Sequence, residues 1–406
     1  MTSTVSSLPP DAAPSGEQGL DLGERQLLRR LLFYGFLVRM VVALVLEFTG
    51  FSNRLAPDEA TYGGAGWRTA LYWMDEVSLP DWRMFSKQPL GYFYINAAFY
   101  YVFGHTDIPL KLVNAMLGAL TGRYVYLIAR DLFGAAVARQ SAMFAAFFPS
   151  LVLWSSVNIR DVWVIFLILF ISWHSLRIVK GRSVLALVNV GLGVYAITFF
   201  RDYLFFVVAL PPIVAFLIGT RGNLGRNFVF AMLTGVGLLY LVERGAGAGA
   251  VPHMSLESLS QVRQDMAQGA ASAFQQDVDI STPGRALLFL PVGIAYFLFS
   301  PFPWQMTSLL KLISLPEMLL MYYLTPSIVR GIAHTVRHRF RESLQVLLLM
   351  TLLTVSYALG EGNVGTLYRH RAQAILFYLM FASVGLELKR APKPADEGLP
   401  ALRQPA

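Results

Sequence analysis

Acidic and basic side chains are concentrated in one polar stretch, residues 53–89, which follows the first long apolar segment of the chain. Asp58 and Glu59 lie side by side near its start, and Lys87 lies near its end. Ionised groups next to a membrane-spanning segment have a cost in free energy, so their presence indicates a function. A carboxylate can act as a base and a lysine can bind an anion. We therefore predict that this stretch forms part of an active site at a membrane surface.

Each of these residues also has a structural interpretation. Pro57, directly before the two acids, is typical of a helix start, where Asp58 and Glu59 would serve as capping residues. Neighbouring positions on a helix do not face each other. We therefore expect one of the two acids to be catalytic and the other structural. Lys87, considered apart from the residues around it, would be interpreted as an anchor to lipid headgroups.

The composition is that of an integral membrane protein. Of the 406 residues, 55% are hydrophobic and 14% are charged, whereas a soluble domain has about 25% charged residues. Repeated apolar runs approach the ~20 residues that a helix needs to cross the hydrocarbon layer, which predicts an all-α polytopic fold. The net charge of +8 indicates membrane orientation and anionic headgroups rather than nucleic acid. Without cysteine, the chain has no disulfide and no thiolate chemistry.

The distribution of Lys and Arg predicts about ten spans and two helices on the outer surface. Arg25, Arg29 and Arg30 before the first span place the amino terminus in the cytoplasm. The aromatic run 90–103 is too short to span, and we predict that it and 286–302 lie along the outer surface. The predicted spans are residues 27–48, 108–128, 135–157, 162–179, 184–200, 203–219, 228–242, 307–329, 343–359 and 372–386.

This topology predicts five parts of the chain. They are a disordered cytoplasmic tail (1–23), a transmembrane module (24–242) with a first outer loop (49–107), an outer loop with surface helices (243–305), carboxy-terminal transmembrane helices (306–388) and a cytoplasmic tail (389–406). The tail 1–23 contains no apolar core of a signal peptide, so we expect the first span to direct insertion.

The predicted topology also gathers the sparse outer charges on one face of the bundle. Acids and bases at one end of a helical bundle indicate an anionic ligand, although Lys111 and Arg160 would also suit helix ends whose side chains reach the interface. We expect Arg39 and Glu317, which lie deeper, to face the bundle interior with polar partners. The outer charges are Asp58, Glu59, Lys87, Lys111, Arg160, Asp161, Arg201, Asp202, Arg369 and Arg371, the last two in a predicted loop, 360–371.

Other sites of chemistry are not indicated by the sequence. It has no Gly-rich phosphate loop in a strand–helix context and no dinucleotide-binding unit. His334 and His338 are four residues apart but lie among arginines, which favours a solvated basic face over a metal site. We predict no cofactor, although Asp58 with Asp161 would suit a divalent metal ion.

The order of motifs resembles the GT-C glycosyltransferases, above all the protein O-mannosyltransferases and the lipid A aminoarabinose transferase. The resemblance covers residues 27–210. It rests on Pro-Asp-Glu-x-x-Tyr (57–62), Lys-x-Pro-Leu-x-Tyr (87–92), Phe-Gly (103–104), Leu-Lys-Leu-Val-Asn-Ala-Met-Leu-Gly-Ala-Leu (110–120) and Ala-Arg-Asp-Leu-Phe-Gly (129–134). It implies a GT-C-like bundle in which 24–242 is the catalytic module and the first outer loop carries surface helices.

The resemblance also implies roles for individual residues. Asp58 matches the catalytic base of the family, and Lys87 matches the lysine that meets the donor phosphate. Lys111 stands where the family has an arginine, which keeps the charge but loses the bidentate fork. Gln88 stands where the family usually has proline. Together with the outer charges, the predicted substrate-binding residues are Tyr62, Lys87, Lys111, Arg160, Asp161, Arg201, Arg369 and Arg371, and the predicted catalytic acids are Asp58 and Glu59.

The function implied is a membrane glycosyltransferase that moves a sugar, with inversion, from a polyprenyl-phosphate donor to an acceptor hydroxyl. The expected partners are that donor, a glycan, lipid or protein acceptor, and membrane lipids, but no nucleic acid. We expect the protein in a bacterial inner membrane with its site facing the periplasm. One alternative is an O-antigen or exopolysaccharide polymerase or ligase. Another is a lipid-linked saccharide transporter, which should carry mid-membrane charges in repeated halves, and the sequence shows no internal repeat.

Overall fold

A computed structural model describes residues 20–78, 90–181, 183–219, 255–268, 273–275, 277–305 and 309–390. Within these ranges the regular elements are fifteen α-helices and one short 3₁₀ turn, Pro303–Gln305. The helices are α1 Leu22–Phe48, α2 Ser52–Leu55, α3 Asp58–Trp73, α4 Gly91–Phe103, α5 Ile108–Phe133, α6 Ala135–Phe147, α7 Pro149–Trp154, α8 Asp161–Gly181, α9 Val184–Arg201, α10 Leu204–Gly219, α11 Leu256–Ala267, α12 Pro283–Phe299, α13 Leu309–His338, α14 Phe340–Gly360 and α15 Val364–Arg390.

The structure confirms an all-α, polytopic membrane fold, which agrees with the GT-C-like bundle that the resemblance implies. Seven helices in the described part of the chain are long and apolar enough to cross a membrane, and each coincides with a predicted span: α1, α5, α8, α9, α13, α14 and α15. The predicted span 203–219 is the shorter apolar helix α10, and 228–242 lies outside the described residues. The two predicted surface helices are present as α4 and α12, and their place at the surface stays a prediction.

The predicted span 135–157 is wrong as a single helix. α6 ends at Phe147 and α7 begins at Pro149, because Phe148 between them is extended (φ −65°, ψ 129°). Proline has no backbone N–H and its ring clashes with the preceding turn, so a helix does not continue through it regularly. The interruption leaves the last carbonyl groups of α6 and the first amides of α7 in need of other partners.

Two buried charges complete the hydrogen bonding at this interruption. Arg39 of α1 is fully buried and donates to the carbonyl oxygens of Ala146 (2.6 Å) and Ala145 (3.1 Å). Glu317 of α13 is also fully buried and accepts a hydrogen bond from the N–H of Ser150 at 2.7 Å. The prediction that Arg39 and Glu317 face the interior with polar partners is confirmed. Their bonds tie α1 and α13 to the α6–α7 junction.

Ion pairs at the two ends of the bundle fix the direction of the helices. At one end, Glu24 at the start of α1 binds Arg130 near the end of α5, with 2.7 Å between Oε1 and Nε. At the other end, Glu47 near the end of α1 binds Lys111 near the start of α5 at 2.6 Å. α1 and α5 are therefore antiparallel. Arg339, between α13 and α14, donates to a carbonyl in the last turn of α5 and so lies at the first end.

Helix α11 falls within residues 243–305, where surface helices were predicted. Its buried residues are Ser260, Arg263 and Ala267, whereas Met266 is exposed. The reason is the Arg263 side chain, which donates to the carbonyl of Glu361 beyond the end of α14 and so turns this face inward.

We expect Arg39→Leu to destabilise the protein, because it leaves the carbonyl groups of Ala145 and Ala146 buried without a donor. Two unsatisfied buried acceptors correspond to a loss of about 2–4 kcal/mol in the free energy of unfolding. The measurement is thermal unfolding of the purified protein in detergent. Arg30→Leu, at an exposed position of the same helix, is the control and should leave the midpoint nearly unchanged. Equal midpoints for the two variants would contradict the role assigned to Arg39.

Candidate functional site

The ends of four helices meet at one end of the bundle and carry the charged residues of the candidate site. Asp58 begins α3, Asp161 begins α8, Arg201 ends α9 and Arg369 lies in the second turn of α15. Arg160 directly precedes α8. Because each of these positions is at or near a helix terminus, the charges are gathered where the apolar interior ends.

The start of α15 decides which arginine reaches the site. The prediction of a loop at 360–371 is wrong for its second half, because the helix begins at Val364 after Asn363, whose Oδ1 accepts a hydrogen bond from the N–H of Gly365 at 2.8 Å. An asparagine in this position is a favourable cap for the free amides of a first turn. On a helix, Arg369 and Arg371 point to nearly opposite sides.

Asp161 is the centre of a chain of ion pairs that runs from the interior to the surface. Its Oδ1 accepts a hydrogen bond from Nη2 of Arg201 at 2.6 Å, and its Oδ2 lies 3.4 Å from Nε of Arg369. Nη1 of Arg369 continues the chain to Oδ2 of Asp58. The side chains of Asp161 and Arg201 are buried, whereas that of Asp58 is 45% exposed. Asp58 is therefore the member of the chain that an incoming hydroxyl group can reach.

Arg160 lies beside this chain with unused hydrogen-bond donors. Its guanidinium group lies 5.7 Å from the ring centroid of Tyr62, and its Nε and Nη1 are buried with no hydrogen-bond partner in the described part of the structure. Burial raises the pKa of Tyr62, although Arg160 and Arg369 act against the rise. A buried N–H without an acceptor is costly, and an anionic ligand would supply the missing acceptor for Arg160.

Glu59 lies in a different environment from Asp58. It is buried and accepts hydrogen bonds from the hydroxyl of Ser52 and the backbone N–H of Asn158. Its Oε1 also lies 3.2 Å from Nζ of Lys111. The two adjacent acids thus point to different places, and these contacts favour a structural role for Glu59, which joins the start of α3 to the segment before Arg160.

Lys111 has no N–H left for a ligand in this arrangement. Its ammonium group contacts Glu47 (2.6 Å), Ser52 (3.0 Å) and Glu59, and a lysine has only three such donors. These contacts favour a structural role for Lys111 over the predicted contact with the substrate. Lys87 lies outside the described residues, so its predicted contact with the donor stays a prediction.

Arg371 is also occupied by the protein itself. Its Nη1 donates to the carbonyl of Leu298 and its Nη2 to the carbonyl of Ser300, both at 2.7 Å, and the side chain is buried. These acceptors belong to the last turn of α12 and the residue after it, where helical carbonyl groups lack amide partners. The contacts favour the stabilisation of this helix end over the predicted binding of a substrate.

Two residues outside the predicted set of site residues lie close to the charged chain. Glu361, which follows α14, forms a buried hydrogen bond with Nδ1 of His370 on α15. Burial raises the pKa of Glu361 to about 7, although the guanidinium groups of Arg201, Arg369 and Arg263 act against the rise. His370 stands between Arg369 and Arg371, which the sequence placed in the predicted site, but no local pattern marks Glu361.

The geometry does not fit a divalent cation between Asp58 and Asp161. The guanidinium group of Arg369 lies between the two carboxylates and contacts both. In the described part of the chain, no three His, Asp or Glu side chains are grouped as ligands for a metal ion. The charged chain is better suited to an anion, which would bind the arginines directly.

Comparisons with known proteins bear on the same part of the chain. Residues 87–243 match the model of the family described as dolichyl-phosphate-mannose-protein mannosyltransferase. A polyprenol-phosphate-mannose–protein mannosyltransferase of Corynebacterium glutamicum is 28% identical over 159 residues, a match that covers 36% of this chain and 30% of that protein. The chain thus matches less than a third of the length of this curated relative.

A solved structure gives a more distant likeness. It is the archaeal oligosaccharyltransferase AglB from Archaeoglobus fulgidus, in complex with an inhibitory peptide and a dolichol-phosphate, with a TM-score of 0.44 and 13% identity. The likeness covers 74% of this chain and 42% of that one and is too distant to bear on the site. The family match, by contrast, includes Lys111, Arg160, Asp161 and Arg201. The family match and the curated relative agree with the resemblance of the sequence to the GT-C glycosyltransferases.

Proposed function

We propose that this protein is a membrane glycosyltransferase that moves a sugar from a polyprenyl-phosphate donor to an acceptor hydroxyl. The observation that carries the proposal is the half-exposed carboxylate of Asp58, which is paired with Arg369, in a cluster where both Arg369 and Arg160 have buried nitrogen donors without a hydrogen-bond partner among the described residues. Sugar transfer from a lipid phosphate needs a base and an anion site close together. The mannosyltransferase family match and the relative named for its polyprenol-phosphate-mannose donor support this choice.

In the proposed reaction, Asp58 takes the proton of the acceptor hydroxyl while its oxygen attacks the anomeric carbon. The bond from that carbon to the phosphate oxygen breaks, the lipid phosphate leaves with the electron pair, and the anomeric carbon is inverted. The salt bridge to Arg369 holds the carboxylate of Asp58 in place before the acceptor arrives. Glu59, one residue away, positions the start of α3 and does not touch the substrate.

The charge of the leaving phosphate would be stabilised by arginines. Arg160 offers two free N–H donors, and Arg201 and Arg369 are held at the site by the carboxylate of Asp161. Planar guanidinium groups bind phosphate oxygens in pairs, which orients the leaving group as well as attracting it. Lys87 is retained in the proposal as a further phosphate contact.

The proposed site faces the outer side of a bacterial inner membrane. The opposite end of the bundle carries Arg130 and Arg339 together with the basic last turn of α13, and such clusters are typical of the cytoplasmic side. Within this scheme residues 24–242 supply the catalytic module, and the carboxy-terminal helices add Arg369. A glycan, a lipid or a protein hydroxyl would serve as the acceptor.

We expect Asp58→Asn to abolish most sugar transfer, because the amide cannot take a proton from the acceptor. A lost general base lowers the rate by about 10²- to 10⁴-fold. The measurement is transfer from labelled polyprenyl-phosphate-mannose, the donor named for the curated relative, to the acceptor fraction of the membrane. Asp75→Asn, an exposed position just after α3, is the matched control. Full activity of Asp58→Asn would refute the base, and intact donor carried across the membrane would favour a transporter.

We expect Arg160→Gln to slow transfer by about 10²- to 10³-fold, the usual cost of one donor to developing charge. Arg160→Lys should recover part of the rate, because it restores the charge without the planar fork. The measurement is the rate constant for transfer at saturating donor, with Arg54→Gln, exposed on α2, as the control. An unchanged rate for Arg160→Gln would remove Arg160 from the proposed site.

A further inference from the structure

A second group of polar side chains lies next to the charged chain, and the proposed reaction does not use it. It consists of Glu361, His370 and Gln373, all buried, with Tyr357 packed among them. Glu361 binds Nδ1 of His370, and the hydroxyl of Tyr357 donates to Oε1 of Gln373 at 2.6 Å. The rings of Tyr357 and His370 are 5.0 Å apart. These contacts hold each side chain by one of its polar atoms.

The other polar atom of each side chain has no hydrogen-bond partner in the described part of the structure. The free atoms are Oε2 of Glu361, Nε2 of His370 and Nε2 of Gln373, together with Nε of Arg201. Most buried polar atoms in folded proteins have a partner. Four buried atoms in one group therefore indicate that a polar ligand, or ordered water, completes their hydrogen bonding.

The chemistry of the free atoms indicates what such a ligand would be. The free atoms of Gln373 and Arg201 are donors, whereas a carboxylate oxygen of Glu361 accepts, and Nε2 of His370 does either according to its tautomer. The ionised form of Glu361 would repel a phosphate oxygen, which has no hydrogen to donate to it. A hydroxyl group both donates and accepts, so neighbouring hydroxyl groups match this mixed set. Arg160, by contrast, offers donors alone.

Arg201 joins this polar group to the site of the proposed reaction. Its Nη2 binds Asp161 in the charged chain, its Nη1 binds the hydroxyl of Tyr203, and its Nε is one of the free atoms. His370 is also the direct neighbour of Arg369 in the sequence. A ligand whose phosphate meets the arginines would therefore bring the group attached to that phosphate next to Glu361 and His370.

We propose that Glu361, His370 and Gln373 form a subsite that binds hydroxyl groups of the transferred sugar and so selects the donor. This inference rests on the proposed function, because it assigns the sugar of the same polyprenyl-phosphate donor. Glu361 and His370 are specificity-determining residues in this scheme, and Tyr357 positions Gln373. A site built to bind a hydroxyl group rejects an analogue that lacks it, because the buried partners are then left unpaired.

The test compares the binding of two kinds of lipid to the full-length protein in nanodiscs. One is bare polyprenyl phosphate, and the other is the same lipid phosphate carrying mannose, glucose or galactose. The variants are Glu361→Gln, which keeps a bond to His370, and His370→Asn, whose amide replaces Nδ1 but not Nε2. Glu342→Gln, exposed at the other end of α14, is the matched control.

We expect the wild-type protein to bind at least one sugar-carrying lipid more tightly than the bare lipid phosphate. Each of the two variants should lose about 10- to 100-fold in affinity for that sugar-carrying lipid, the range for a hydrogen bond with a charged or buried group. Binding of bare polyprenyl phosphate should stay as in the wild type, which a variant with a merely disturbed structure would not show.

Three results would overturn the sugar subsite while leaving the proposed function in place. The first is that the variants lose affinity equally for both kinds of lipid. The second is that they lose affinity for neither, as expected if ordered water alone completes the hydrogen bonding of the group. The third is that the wild-type protein binds no sugar-carrying lipid more tightly than bare polyprenyl phosphate. A wild-type protein that binds neither kind of lipid would instead refute the proposed function, and the subsite with it.

Discussion

The interruption between α6 and α7 requires hydrogen-bond partners from other helices. Inside a membrane every backbone N–H and C=O group needs a partner from the protein, and Pro149 removes the regular ones. Arg39 supplies donors to the last carbonyls of α6, and Glu317 accepts from Ser150. Arg39 also donates to the hydroxyl of Ser155 at 2.8 Å, so the same arginine holds the segment that leads to the start of α8. Two charges that would be costly in a membrane thus stabilise the approach to the candidate site.

Several basic residues with the same formal charge have different uses in this protein. Lys111 donates to a network of carboxylates, and Arg371 donates to the carbonyl groups at a helix end. Arg201 and Arg369 are held by Asp161, and Arg160 keeps free donors. The distinction between a structural and a ligand-binding cation therefore lies in which partners the fold supplies. At one end of the bundle the described part of the fold leaves guanidinium nitrogens without acceptors, and in the proposed site these nitrogens would bind a lipid phosphate.

The candidate site has two regions, which differ in the kind of polar atoms that have no hydrogen-bond partner among the described residues. Arg160 offers donors only, whereas the group around Glu361 and His370 combines donors and an acceptor. Arg201 binds Asp161 in the first region, and its charge acts on Glu361 and His370 in the second. A ligand that spans the two regions would therefore have an anionic part and a hydroxyl-bearing part next to each other. A sugar joined to a phosphate has this arrangement. The proposals for the phosphate and for the sugar thus draw on different atoms of one connected cluster.

Hydropathy and the positions of basic residues are local properties, and they were enough to predict the all-α membrane fold, seven of the spans and the end of the bundle where the charges gather. Pro57 likewise indicated the start of α3 at Asp58. The partners of those charges could not be predicted in this way, because they come from distant helices: Asp58 and Arg369 are separated by 311 positions. Local patterns likewise did not predict the interruption at Pro149 or the pair of Glu361 and His370. An isolated proline, glutamate or histidine has no periodicity, and its role follows from the groups that folding places around it.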